Sequence, residues 1–191
     1  MTNIKTWADG EQITPADMQR YISDVLHGFM APPSCRRTVA NLSSQHKPAN
    51  AAHVVQFDKP AMGKGSMYSY DTTGGLMSTE ATKIHAPIDG LYEMSFGLVV
   101  RAATGDLGFA TAAVNLNQTT GSSIAATGFL RVGLGRSNRS EKVGAGSATI
   151  ALDAGDFISA AAQSDTDFVF GDGDFAQFIS HMELRWVGVK P

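Results

Sequence analysis

The chain has 191 residues, 17% of them charged, and a formal net charge of −3. That length suits one well-filled domain plus an appendage, and the mildly acidic balance excludes the basic face that nucleic-acid binding calls for. A single cysteine, Cys35, excludes an intrachain disulfide, and the lack of any run of about 18 apolar residues excludes a membrane-spanning helix.

The first 33 residues differ from the rest. Thr14, Pro15 and Asp17 read as a helix start: a capping hydroxyl, a proline at the first helical position and an acid in the first turn. Met18, Ile22, Val25 and Phe29 follow at spacings of four, three and four, an apolar seam about two heptads long. Pro32 and Pro33 stop it. A helix of this length is marginal alone in water. Four buried seam side chains would contribute at most roughly 6–12 kcal/mol, so the seam must dock on something. The proline break marks it as a separately oriented element. We expect residues 1–33 to form an anchor helix with its linker and residues 34–191 to form a β-sandwich.

From Arg36 onward the patterns are those of strands and turns. Arg36–Ser43 and Ala51–Asp58 read as short strands, and Ser66–Tyr70 as a short edge strand before the Thr73-Gly74-Gly75 turn. Pro87, Asp89 and Gly90 make a corner. In the long strand Leu91–Ala102 that follows, Tyr92, Met94, Phe96, Leu98 and Val100 fall on one face, with Glu93, Ser95, Gly97 and Arg101 on the other. Ala110–Asn117 and Leu130–Leu134 alternate similarly. Ala148, Ile150 and Leu152 precede an Asp153–Asp156 turn and a strand over Phe157–Gln163, and a last strand lies within Phe175–Val189. Strands in such number, regularly punctuated by turns and with no helical pattern between them, predict an all-β sandwich or jelly roll rather than a parallel α/β sheet.

Residues that carry chemistry are sparse. No nucleophile elbow and no helix-borne histidine pair at zinc spacing occurs, and His27, His46, His53, His85 and His181 are scattered. Cys35 reads as an inert thiol, although Arg36 and Arg37 stand beside it. Asp165, Asp167, Asp172 and Asp174 form the best cation loop, but at a spacing that matches no calcium motif; ordinary turns explain them equally. Arg131, Arg136, Arg139 and Lys142 surround a Gly/Ser loop that an anionic polymer would suit, and Glu141 stands among them. Gly- and Ala-rich stretches at Ala160–Ala162 and Gly144–Ser147 admit close approach of a neighbouring subunit or, equally, thin core packing. We expect no catalytic residue, cofactor or metal, and partner binding through Met18, Ile22, Val25 and Phe29.

Three segments resemble C1q/TNF-like domains: Ile88–Phe96 their "dGlYxFsf" strand, Leu152–Ile158 their "LxxGDxV" turn and strand, and Phe175–Leu184 their last strand. The resemblance spans about Ile84 to Val189 and implies a ten-strand jelly roll that forms compact homotrimers. Trp7–Met18, Ala31–Arg36 and Arg185–Gly188 resemble virion proteins of tailed actinobacteriophages, of the minor tail or head-fibre type. That likeness implies a non-enzymatic virion component, assembled in the bacterial host cytoplasm. Its expected partners are other virion proteins, through the N-terminal helix, and host cell-surface polysaccharide. The alternative is a head-decoration protein at a three-fold position of the capsid. A polysaccharide-cleaving tailspike would need a much longer chain. No charged-then-apolar leader opens the sequence, so the usual export route is not expected.

Overall fold

The computed structural model describes residues 14–16, 18, 32–39, 45–57, 69–118, 128–134, 141–170 and 180–190. These contain twelve strands: β1 (Ser34–Thr38), β2 (Gln45–Lys47), β3 (Ala52–Val54), β4 (Tyr70–Asp71), β5 (Ile84–His85), β6 (Gly90–Ala102), β7 (Ala110–Leu116), β8 (Gly128–Gly133), β9 (Glu141–Leu152), β10 (Phe157–Ser164), β11 (Phe168–Phe170) and β12 (His181–Gly188). They build a seven-stranded and a five-stranded sheet in which every pairing is antiparallel.

The long strand β6 organises the first sheet. One of its edges pairs with β9 from Gly90 to Arg101. The other is shared: β12 pairs with Leu91–Gly97 and β11 with Val100–Ala102. The Ser180 hydroxyl fills the gap by accepting a hydrogen bond from the Val99 N–H at 2.9 Å. β1 and β2 then lie beyond β12 and β11 respectively, and β4 closes that side. The second sheet is built alike, with β7 on one edge of β10 and the short β3 and β5 sharing the other. Sharing of lanes by short strands is why twelve strands stand where ten were expected.

The inward row of the β6 alternation is realised, while on its outer face Gly97 and Val99 are buried as well. Tyr92, Met94, Phe96, Leu98 and Val100 point between the sheets and are buried, joined by Met182 and Leu184 of β12, Phe168 and Phe170 of β11, and Ala110, Ala112 and Val114 of β7. At about 1.5–3 kcal/mol per large apolar side chain removed from water, the β6 row alone contributes roughly 7–15 kcal/mol as an upper estimate. Tyr92 keeps its polar end satisfied: its hydroxyl donates to the Ile88 carbonyl at 2.8 Å, and burial pushes the phenol pKa up to about 12.

One charge is sealed inside. Arg37 alternates with Cys35 and Val39 on the inward side of β1, and its side chain is fully buried. Its guanidinium donates to three main-chain carbonyls, those of Phe57 (3.0 Å), Lys83 (3.1 Å) and Glu80. These carbonyls belong to the end of the segment after β3 and to the connection that carries the chain from β4 in one sheet to β5 in the other. Arg37 therefore ties β1 to the crossing between the sheets.

Several boundaries differ from the sequence reading. The strand placed at Arg36–Ser43 ends at Thr38, and that placed at Ala51–Asp58 is only Ala52–Val54. β9 begins at Glu141, well before Ala148, because cross-strand pairing with β6 holds a Gly/Ala/Ser stretch that has no apolar face of its own. Within Phe175–Val189 the strand is His181–Gly188, and residues 175–179 lie outside the described residues. Of the segment expected to form an anchor helix, residues 14–16 and 18 are described, and there the Met18 N–H donates to the Thr14 carbonyl at 3.0 Å. No helix among the described residues is long and apolar enough to cross a membrane.

Candidate interaction surface

Two strands end the sheets on the same side of the sandwich. β8 pairs only with β7, and β9 only with β6, among the described residues. They meet through side chains rather than hydrogen bonds. A Cβ added at Gly146 would stand 2.9 Å from Leu130 Cδ2 and 3.1 Å from Phe96 Cε1; one added at Gly144 would stand 2.9 Å from Ala112 Cβ and 3.1 Å from Leu134 Cδ2. The glycines of β9 thus make room for the leucines of β8, and the sandwich narrows here. The result is two neighbouring strands whose outer edges pair with no other strand among the described residues. Beside them stand Phe129 (47% exposed), Val143 (42% exposed) and the small outward residues Ala145, Ser147, Thr149 and Ala151 of β9. Open edges of this kind template pairing with another chain unless covered or charged. Lys142, the cation nearest this edge on β9, is turned away and donates to the Gly108 carbonyl at 2.7 Å.

The adjoining outer face of the first sheet is polar yet self-neutralised. Arg36 lies opposite Glu183, and Arg185 lies opposite both Glu93 and Ser34. Tyr70 donates its hydroxyl to Glu183 Oε1 at 2.6 Å, and the Ser34 hydroxyl donates to Tyr70 at 3.2 Å. Burial first, and then the bond to Glu183, raises the Tyr70 pKa. Arg36 Nη1 is 3.6 Å from the other Glu183 oxygen. The His181 ring lies across Gly97, where an added Cβ would come within 2.8 Å of its Cε1. Opposite charges paired across strands leave a flat surface with little net field.

The residues singled out in the sequence do not converge. Met18 is 53% exposed, so the seam's first residue is not buried by the chain's own sandwich; Ile22, Val25 and Phe29 lie outside the described residues. Cys35 is buried, and its thiol pKa is pushed up to about 12 by burial and by Asp71, with Arg37 opposing. His46, His53, His85 and His181 sit on four different strands, and no group of three or more metal-ligating side chains occurs among the described residues. In the acidic loop, Asp167 Oδ1 accepts the Ala49 N–H at 2.8 Å, a contact between distant parts of the chain; Asp172 and Asp174 lie outside the described residues, as do Arg136 and Arg139 of the cationic cluster. Ala160–Ala162 are fully buried, so thin packing explains that stretch and close subunit approach does not. Phe129 went unnoticed in the sequence because it occupies the polar side of the β8 alternation.

No family model matches the chain, and no characterised protein matches it in sequence. Among solved structures it is similar to murine APRIL at pH 5.0, with a TM-score of 0.52 and 10% identity over 81% of this chain and 98% of that one. It is also similar to the Eiger TNF from S. frugiperda, with a TM-score of 0.49 and 11% identity over 83% and 94% of the two chains. The likeness to APRIL is one of fold: the described residues form an all-β sandwich of the TNF-like jelly-roll kind.

Proposed function

We propose that this protein is a non-enzymatic structural component that works as a homotrimer, with residues 34–191 displayed and residues 1–33 as the anchor. The observation that carries the trimer is the β8–β9 edge, which pairs with no other strand among the described residues and where Phe129 and Val143 stand exposed beside a self-neutralised sheet face. A second copy supplies what both features lack. The edge brings apolar surface, and the face accepts it without leaving an unpaired charge buried. The jelly-roll fold and the C1q/TNF-like motifs at Ile88–Phe96 and Leu152–Ile158 agree with this reading. A buried, protonated Cys35 and dispersed histidines favour a binding protein over an enzyme.

The particle to which the trimer belongs is read from the resemblance of Trp7–Met18, Ala31–Arg36 and Arg185–Gly188 to phage virion proteins. On that basis it is a minor tail or fibre component that contacts the host surface. The exposed Met18 favours an anchor that orders on a neighbouring virion protein. Sedimentation equilibrium at micromolar concentration is expected to return about three times the 20.2 kDa chain mass; the mass of one chain would refute the trimer. Antibody labelling of intact particles should mark the tail. Label confined to the head would favour the decoration alternative, and unlabelled particles would refute the virion role.

A further inference from the structure

The N-terminal segment leaves the sandwich near the start of β6: the Pro33 carbonyl accepts the Trp186 N–H at 2.8 Å, and Trp186 lies opposite Tyr92. From Tyr92 the strand runs about 33 Å to Ala102, where the Ala103 N–H donates to the Asp167 carbonyl at 2.9 Å and brings the end of β10 alongside. At this far end the entry to β7 is locked. The Gly108 N–H donates to Thr166 Oγ1 at 3.4 Å, the Gly108 carbonyl accepts Lys142 Nζ at 2.7 Å, and the Phe109 carbonyl accepts the Asp165 N–H at 3.0 Å. Phe109 is nonetheless 49% exposed. The ladder places its neighbours. Ser164 pairs with Ala110, so the Asp165 bond continues the register by one step and sets Asp165 across from Phe109 on the same face. Two residues along, Thr111 shares that face with Gln163 on one side and Gly133 on the other. Ala110 and Ala112, which alternate with them on β7, are buried, so this row points away from the core. Thr111 and Gln163 are half-buried, Asp165 and Gly133 are exposed, and a Cβ added at Gly133 would meet nothing within 4 Å.

We infer that this patch of Phe109, Asp165, Thr111 and Gln163 around the open space at Gly133 binds a neutral pyranose unit of a polysaccharide. The Phe109 ring offers a flat apolar platform to the C–H face of a sugar. Asp165 accepts hydrogen bonds from sugar hydroxyls, and Thr111 and Gln163 both donate and accept. Area decides against a protein. One aromatic side chain buries about 150–250 Å², far below the roughly 800 Å² per partner of a stable protein interface. Phe129, the other large apolar side chain exposed on this sheet among the described residues, lies toward its opposite end, where Gly128 pairs with Asn115. The Asp165 carboxylate repels an anionic polymer at short range. The locked backbone holds the ring in place before a ligand arrives, which lowers the ordering cost of binding. Standing far from the N-terminal exit, the patch faces the host; that assignment rests on reading residues 34–191 as displayed, whereas the chemistry of the patch does not.

Native gels cast with dextran, mannan or galactan test it on the full chain. The protein should be retarded in at least one of them and not in a gel cast with polyglycerol phosphate. Phe109→Ala and Gly133→Leu should each weaken that retardation by about tenfold or more, the first by removing the platform and the second by filling the open space. Leu76→Ala, at an exposed apolar residue elsewhere, should leave it unchanged. Positions 109 and 133 are exposed, so melting temperature and sedimentation mass should not move in either variant. Retardation by none of the three glycans, by polyglycerol phosphate instead, or undiminished in Phe109→Ala would overturn the proposal. A change of mass in Phe109→Ala would overturn it as well, by making Phe109 a contact between copies. Soluble glycans require no particle, so binding can fail while the trimer and the virion role stand, and unlabelled particles would leave a positive gel result intact.

Discussion

Arg37 and Arg36 are neighbours on β1 that face opposite ways, and replacing each by methionine separates a buried cation from a surface one. Arg37→Met removes three charge-assisted hydrogen bonds, to the carbonyls of Phe57, Lys83 and Glu80. Such bonds are each worth about 1.5–3 kcal/mol, and a buried carbonyl left unpaired costs about 1–3 kcal/mol. The Phe57 carbonyl is the buried one, so its loss is felt in full, and the other two are partly rehydrated. Relief from desolvating the guanidinium offsets part of this. The net expectation is a loss of about 2–4 kcal/mol, a large share of the 5–15 kcal/mol typical of a domain. In a chain of this size each kcal/mol shifts Tm by about 2–4 °C, so Tm should fall by roughly 4–16 °C. Arg36→Met loses a 3.6 Å pair with Glu183 at the surface, worth less than about 1 kcal/mol. Urea unfolding of both variants at one fixed protein concentration, necessary because association adds to apparent stability, measures the difference. Equal midpoints, or a more stable Arg37→Met protein, would refute the role given to Arg37 as the tie between the sheets.

Phe129→Glu with Val143→Glu should reduce the sedimentation mass to that of one chain while far-ultraviolet circular dichroism is retained; a trimer that survives both charges would move the interface elsewhere. Cys35 and Tyr92 both have folded pKa values of about 12, raised mainly by burial from the ordinary 9.0 and 10.0 of an exposed thiol and phenol. Their neutral forms are favoured by folding, so the stability they contribute is fully present below pH 9 and is lost as pH rises toward 12. The urea midpoint should therefore fall steadily between pH 9 and 11, less steeply in Cys35→Ala, and an identical slope in that variant would contradict the assignment. Ile22→Asp with Val25→Asp should leave a soluble, trimeric β domain that is missing from purified particles; a variant that unfolds, or one that still assembles, would show that the seam is not an anchor.

The parts of this fold that were legible are those in which local period and burial agree. β6 alternates over Tyr92–Phe96 because one face meets the core while Glu93 and Ser95 face outward, and the pattern survives in sequence. β11 carried no such signal: Phe168, Val169 and Phe170 are all buried, so nothing alternates over its short length. β9 was half-read for a related reason. Its inward positions at Gly144 and Gly146 are empty so that Leu130 and Leu134 can fill them from β8, and the greasy face that would announce a strand belongs to another strand. Arg37 left a trace that went unused. It holds the inward parity of Cys35 and Val39, and an arginine in an apolar row is either an error of register or a buried cation with carbonyl partners.

The interaction surface was harder to see for a physical reason rather than for lack of length. Inward positions are constrained by one shared core, so their residue types repeat with the strand period. Outward positions answer only to what lies opposite them across the sheet or beyond the chain. Arg36 and Glu183 are far apart in sequence, and Arg185 and Glu93 hardly less so, yet each pair cancels a charge only because β1, β12 and β6 lie side by side. Phe129 looks like a break in alternation until β8 is seen to end its sheet. A surface that spends its charges on internal pairing and leaves its apolar groups at an open edge is poorly suited to steering a small charged substrate. It is well suited to packing against a copy of itself. The acidic loop and the scattered histidines drew attention in the sequence because they resemble chemistry, whereas the residues that carry the proposed function, Phe129 and Val143, acquire meaning only from the strand order.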